Sequence, residues 1–304
     1  MNLVRIQSML PIVVFFAVLC VGLSASRGAI IYVSDSGNNS IRSFTPDGVG
    51  SVFASSGLND PRGLAFDLSG NLYVANRGSN NVVRITMGGA VSVFATTGLN
   101  SPYGIAFDHQ GNLFVANSGN NSIWKFDPSG AGSPFGTSAF SANGPFGLAI
   151  DSTDNVYVAG FNEVEKFTPT GVRTVFASGS NINNPIGLAC DAADNLYVVN
   201  YGSWSIAKYT PGGSGSIFAH TLPSSGPINA PFAVTVDNST NDLYVTIWQG
   251  NIGVERFNPD GSGSVFTTDG LSFPTFIAIG TVPEPDVIGL VAIGFFALGL
   301  RRRR

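Results

Sequence analysis

The sequence predicts an all-β protein in which six four-stranded sheets stand as blades around one axis. Three observations carry that expectation. The first is an internal repeat. Pro-x-Gly-(Leu/Ile)-Ala-x-Asp, a turn, then Asn-(Leu/Val)-(Tyr/Phe)-Val starts at Pro61, Pro102, Pro145, Pro185 and, more loosely, Pro231, at steps of 41, 43, 40 and 46 residues. The second is the spacing inside each repeat, which holds four short strands and leaves no room for an ordinary helix. The third is a split unit. A sixth start, Pro274, is followed by one strand only, Thr275 to Gly280, and the missing remainder sits at 30–60. Units of this length that complete each other across the two ends of a chain close a ring, the C-terminal inner strand pairing with the N-terminal strands. The predicted fold is a six-bladed β-propeller over residues 29–280.

The unit at Pro61 shows the plan. Gly63-Leu64-Ala65-Phe66 is a short apolar run ending at Asp67, and Leu68-Ser69-Gly70-Asn71 is a turn by composition. Leu72-Tyr73-Val74-Ala75 is a second strand, and Asn76 to Asn81 form a polar loop. Val82-Val83-Arg84-Ile85 is a third strand by its alternation, and Val91-Ser92-Val93-Phe94 a fourth. Turns such as Pro46-Asp47-Gly48 and Pro128-Ser129-Gly130 join third to fourth strands, where Pro presets φ and Gly supplies the backbone freedom that follows. The fourth strands repeat Val-Phe or Ile-Phe, so the 23 phenylalanines are largely this repeat and need no ligand to explain them. The first strands (Leu64-Ala65-Phe66, Ile105-Ala106-Phe107, Leu148-Ala149-Ile150, Leu188-Ala189-Cys190) are apolar on both sides, which places them at a crowded hub.

Pro-x-Gly-Ile-Ala-x-Asp followed by Gly-Asn-Leu-Phe-Val-Ala-Asn, at Pro102 to Asn117, resembles the NHL repeat of six-bladed β-propellers. Those repeats often carry Asp after Val-Ala. Here the position reads Asp35, Asn76, Asn117, Gly160, Asn200 and Ile247. The resemblance implies the fold strongly and the function weakly, because propellers host enzymes, binders and docking modules alike.

The two ends read as addresses. Residues 1–26 have the pattern of a secretory signal, with Arg5, an apolar core from Leu10 to Leu23, and small residues Ser24, Ala25 and Ser26. Cys20 offers a lipoprotein alternative, against which stands the large Leu19 before it. Residues 282–304 resemble the PEP-CTERM sorting signal: Pro283-Glu284-Pro285, an apolar stretch from Val287 to Leu300, then Arg301, Arg302, Arg303 and Arg304. A helix over those 14 apolar residues spans about 21 Å, short of the roughly 30 Å hydrocarbon core. The resemblance implies a transient or short membrane anchor, with the Arg cluster on the cytoplasmic side. It also implies processing by an exosortase-type enzyme, and a mature form on the cell envelope or outside the cell. The alternative is a plain C-terminal anchor.

The chain carries a formal charge of −4, with charged residues at 11%. Its basic tail and Arg5 conceal a more acidic domain, in which Asp and Glu clearly outnumber Lys and Arg. Phosphate-backbone binding needs a basic footprint, so nucleic acid is not an expected partner. The neutral, hydrogen-bonding surface fits an exported monomer with a polysaccharide or protein ligand. Two cysteines make no disulfide framework, and Cys190 stands in the inner-strand pattern as an apolar thiol.

Asp67, Asp108, Asp151, Asp191 and Asp237 recur at one place after the inner strand. The expectation is that each accepts hydrogen bonds from its own turn, since repetition in nearly every blade argues for structure. His109 and His220 fall on different connections, which separates them. The residue after the repeat's Pro varies from blade to blade as Arg62, Tyr103, Phe146, Ile186, Phe232 and Thr275. Tyr201, Trp204 and Trp248 fall in loops on the same face. Aromatic rings beside an arginine suit sugar rings or peptide side chains, or else they plug the channel; both readings stand at this point. Arg62, Tyr103, Phe146, Phe232, Tyr201, Trp204, Trp248, Asn76, Asn117 and Asn200 are therefore candidate ligand contacts. Two enzyme families resemble this architecture. Gluconolactonases hold a divalent metal with Glu, Asn and Asp at the axial mouth, which the three loop Asn residues match in part, and streptogramin lyases use His and Glu. Neither family's Glu or His finds a match here, so the expected function is non-catalytic binding without a cofactor or metal, the alternative being a lactonase-like hydrolase or lyase.

Overall fold

The computed structural model describes residues 29–136, 144–222, 229–250 and 252–280. The signal at 1–26 and the sorting tail at 282–304, with its apolar stretch, lie outside the described residues. Among the described residues no helix is long and apolar enough to cross a membrane.

Six antiparallel sheets of four strands each make the blades. Blade 1 runs from the inner strand Pro61–Phe66 through Leu72–Asn76 and Asn81–Ile85 to the outer strand Val91–Ala95. Blades 2 to 5 begin with the inner strands Pro102–Phe107, Leu148–Ile150, Pro185–Cys190 and Ala230–Asp237. Blade 6 is assembled from both ends, Pro274–Gly280 inside and Ile30–Asp35, Ser40–Phe44 and Gly50–Ala54 outside it. Its register pairs Ile30 with Gly280, Tyr32 with Ala278 and Asp35 with Pro274. The predicted closure is thus the observed one. A single 3-10 turn, Arg77–Ser79, is the helical element among the described residues. Blade 2 has an outer strand of only three residues, Gly132–Pro134, after which Phe135 N still donates to Ile123 O at 2.8 Å.

The closure is locked by hydroxyls. Thr275 is fully buried; its Oγ1 lies 2.9 Å from Ser34 Oγ and 3.2 Å from Pro61 O, and its carbonyl accepts from Thr246 Oγ1 at 2.6 Å. One residue therefore ties blades 5, 6 and 1.

Between blades the core is aromatic. The second-strand ring of one blade meets the outer-strand Phe of the same blade edge to face, and in two cases the last inner-strand Phe of the next. Tyr32 meets Phe53 and Phe66 at 5.0 Å, and Tyr73 meets Phe94 and Phe107 at 4.9 Å. Tyr157–Phe176 and Tyr197–Phe218 continue the series. Edge-to-face pairs add roughly 0.5–1.5 kcal/mol beyond burial, which accounts for the repeated Phe.

The repeated Asp does what its position predicts. Asp108 Oδ1 accepts from Gln110 N (3.1 Å) and Asn112 N (2.7 Å), and Oδ2 from Asn112 Nδ2 (2.8 Å). Asp67, Asp151 and Asp191 repeat the pattern with Asn71, Asn155 and Asn195. Lys125 sits 3.2 Å from Asp108 and 5.0 Å above the Phe114 ring, a cation stacked on the blade's own aromatic. A second staple links neighbours: Asp154 accepts from His109 N at 3.0 Å, and Asp194 from Ser152 N at 2.8 Å.

Candidate functional site

Along the axis the six inner strands stack their residues in rings. One end of each strand contributes Phe66, Phe107, Ile150, Cys190, Val236 and Ile279, one per blade. Inward from these come mostly alanines, then Leu64, Ile105, Leu148, Leu188, Val234 and Ile277. Together they wall a channel of about 700 Å³ whose rim also includes Ala29, Asn238 and Ser239. Toward the other end the wall narrows at Gly63, Gly104, Gly147 and Gly187. Here neighbouring strands touch through their backbones: Gly104 N donates to Phe146 O at 2.9 Å. A side chain on Gly104 would sit 2.3 Å from that oxygen.

Past the glycines the channel is stoppered. Tyr103 meets Phe146, Phe232 and Phe276 at centroid distances of 5.3, 6.0 and 5.6 Å. Arg62 lies over the rings of Tyr103 and Phe232 at 5.4 and 5.7 Å. Asp60 holds Arg62 at 2.9 Å and Arg77 at 2.7 Å, so two guanidinium groups share one carboxylate. Burial pushes the Tyr103 phenol up to about 12, against the opposing pull of Arg62 and Arg77. Of the candidate contacts, Arg62, Tyr103, Phe146 and Phe232 are thus brought together in this plug, with Tyr103 and Phe232 buried.

The remaining aromatics flank it. Trp248 packs on Phe232 (6.2 Å), Phe273 (4.8 Å) and Tyr201 (5.9 Å). Neither Trp248 Nε1 nor Arg62 Nε has a protein acceptor, although both atoms are buried. Trp204 is 38% exposed and has φ 52°. Asn occupies the corresponding left-handed position in four other blades, as Asn39, Asn80, Asn121 and Asn162. Three of these accept a backbone N–H from the residue before the next repeat's Pro: Asn39 from Asp60, Asn80 from Ser101 and Asn162 from Asn184. Trp204 forgoes that clamp and keeps the strained backbone, which Asn tolerates far better than a bulky residue.

Asn76, Asn117 and Asn200 are buried and fold the same face. Asn117 Oδ1 accepts from Asn100 N at 3.0 Å while its Nδ2 donates to Gly98 O at 3.1 Å. Asn76 grips Asn59 and Gly57, and Asn200 grips Asn183 and Asn181, in the same manner. Asp35 takes this place in blade 6, accepting from Phe273 N at 2.7 Å. Their amides are spent on the loop that enters their own blade.

The titratable groups stand apart. His109 is paired with Asp154 at 2.7 Å on the channel-mouth face. His220 ends an outer strand at the opposite face. Two glutamates are buried inside blades, where burial pushes their carboxyl pKa values up. Glu165 is held by Arg173 Nε at 2.6 Å, and Glu255 accepts from Asn229 Nδ2 at 2.8 Å and Leu222 N at 3.2 Å. Each stands at the centre of a third strand, Glu163–Phe167 or Gly253–Phe257, between apolar and charged neighbours, so the sequence does not mark it as buried. Among the described residues no three His, Cys, Asp or Glu side chains converge as a metal-ligand set.

Comparison with known proteins follows this geometry. The profile of the virginiamycin B lyase family matches residues 18–281, and that of the PEP-CTERM protein-sorting motif matches residues 281–304. No curated protein matches the chain. A catalytically inactive histidine-to-alanine variant of virginiamycin B lyase from Staphylococcus aureus, crystallised with quinupristin, superposes with a TM-score of 0.63 at 17% identity, covering 84% of this chain and 93% of its own. A gluconolactonase from Xanthomonas campestris gives 0.59 at 20% identity over 71% and 78%. A protein of unknown function from Bacteroides caccae gives 0.63 at 16% identity over 84% and 99%. At such identities these likenesses establish the fold.

Proposed function

The chain belongs to the virginiamycin B lyase family and ends in a PEP-CTERM motif that marks it for exosortase-sorted export, and from that premise we propose that it is a non-catalytic binding propeller of the cell envelope or exterior. Its ligand, a polysaccharide or protein, rests on the plugged face, where Trp248 and Tyr201 pack beside the Phe232 ring under Arg62 and Trp204 stands exposed in a loop. The observation that carries this reading is Trp204. A large ring held exposed at a left-handed backbone, where four sister blades place Asn and three of those use it as a clamp, trades stability for surface chemistry. Aromatic faces of this kind stack on sugar rings or apolar side chains.

Family membership favours one other reading, a lyase. The S. aureus lyase variant is described as catalytically inactive after a histidine change, whereas His109 and His220 here lie on opposite faces. Two arms test the proposal. Purified protein is incubated with quinupristin and with sugar lactones, with and without added divalent metal; turnover of either would replace binding by catalysis. Retention on extracellular polysaccharide and envelope protein fractions is compared for Trp204→Asn and Trp248→Ala. Loss of retention with unchanged folding is the expected outcome, and full retention by both variants removes this face from consideration.

A further inference from the structure

We propose that the channel-mouth face is the bilayer-facing side of the membrane-held precursor, so that lipid covers the mouth until the sorting tail is cut. The partner is a lipid surface, and the argument is one of reach. Blade 6 delivers Gly280 to the rim of the mouth, where Ile279 and Ala29 line the channel, so the tail departs from the centre of that face. Six residues, 281–286, lie between Gly280 and Val287, where the apolar stretch of the sorting tail begins. Fully extended, the seven steps from Gly280 to Val287 span about 25 Å. A blade of four strands extends roughly 20 Å from the channel, and a six-residue strand is about 20 Å tall. To turn the plugged face toward the bilayer, the tether would have to run out to the disc's edge and down its side, about 40 Å. It is too short by a wide margin. The plugged face therefore looks away from the membrane, and the tether is least stretched with the mouth face against it.

The mouth offers apolar groups to lipid at several blades. Phe66, Phe107, Ile150 and Ile279 line it, with Asp237, Asn238 and Ser239 on one side, and Leu68, in the first turn of blade 1, stands 94% exposed on the same face. The repeated Asp carboxylates beside it are occupied by their own turns. The inference does not depend on the binding role of the plugged face; it needs only the sorting motif and the direction in which the last strand leaves.

The test uses the full chain in spheroplasts of a host without the processing enzyme, compared with the chain ending at Gly280. Leu68→Cys reports on the mouth face and Ser79→Cys on the opposite one, each reacted with a bulky polyethylene-glycol maleimide. In the full chain, Leu68→Cys should react several-fold more slowly than in the shortened chain, while Ser79→Cys reacts alike in both. Inserting a long Gly-Ser segment between Gly280 and Pro283 should restore reaction at the mouth face. Equal rates at Leu68→Cys with and without the tail overturn the proposal, as does equal suppression at Ser79→Cys.

Discussion

Replacing Gly104 by Ala probes the hub directly. The added Cβ would lie 2.3 Å from Phe146 O and 2.9 Å from both Gly147 Cα and Leu148 N, all backbone atoms of the next inner strand, where an ordinary contact needs 3.4 Å or more. No side-chain rotation relieves this; the two strands must separate, and the 2.9 Å bond from Gly104 N to Phe146 O is lost. Overpacking of this kind costs roughly 1–3 kcal/mol and the hydrogen bond about 1 kcal/mol. Reduced freedom of the unfolded chain returns about 0.4–1 kcal/mol. The net loss is about 1–3.6 kcal/mol, which in a domain of this size lowers Tm by roughly 2–14 °C. Gly89→Ala is the control. Its Cβ meets nothing within 4 Å, and only the left-handed φ of 81° opposes it, at about 1–2 kcal/mol before the same entropy gain. Differential scanning calorimetry should place Gly104→Ala below Gly89→Ala, and both below the parent. A Gly104→Ala Tm at or above that of Gly89→Ala would refute the reasoning that backbone proximity, rather than backbone conformation, fixes glycine at the hub.

Asn200→Ala leaves Asn183 N and Asn181 O, on a loop only partly shielded from water, without their partner; at about 0.5–1.5 kcal/mol for each lost hydrogen bond, urea unfolding should show a loss of about 1–3 kcal/mol. Trp204→Asn reinstates a residue suited to φ 52° and should raise stability by about 1 kcal/mol; a destabilised variant would contradict the strain argument. Hydrogen bonds, the first from His109 N, hold Asp154 down to about 2, below the ordinary 3.8. Its contribution is therefore complete above 3.8 and is lost as pH falls toward about 2, so Asp154→Ala should flatten the acid limb of a urea-midpoint-against-pH curve, and an unchanged limb would count against it. Thr275→Val removes the hydroxyl beside Ser34 and Pro61 at the closure and should lower stability by about 1–3 kcal/mol, read as a reduced urea midpoint.

The fold was legible because each blade states it again. Pro opens the inner strand, Asp closes it, Gly or Asn turns it, and an incomplete unit at each end shows that the circle is finished by pairing. The roles of the candidate residues were less legible for a geometric reason. Whether Tyr103 and Phe232 meet solvent or each other depends on how far the hub narrows at the glycines, a property of six strands together that no single repeat reveals. Asn76, Asn117 and Asn200 carried a readable sign: each stands 17 residues after the Asn whose backbone it receives, Asn59, Asn100 and Asn183. That interval spans the inner strand and the second strand of one blade, so its meaning emerges only once those two are paired. Trp204 is the converse case. It breaks a positional rule visible in the loops, and the departure itself directs attention to it.

The closing seam of blade 6 also governs how the wheel bears load. Ile30 and Gly280 face each other at the same end of an antiparallel ladder. A force drawn between the two ends would open that ladder rung by rung, like a zip started at its slider, and each step would need the strength of only one or two bonds. A force applied through one end, with drag on the body as reaction, instead bears on the hydroxyl knot at Thr275 and on the whole inner strand. The domain is consequently a sturdy pendant and a poor link in a chain.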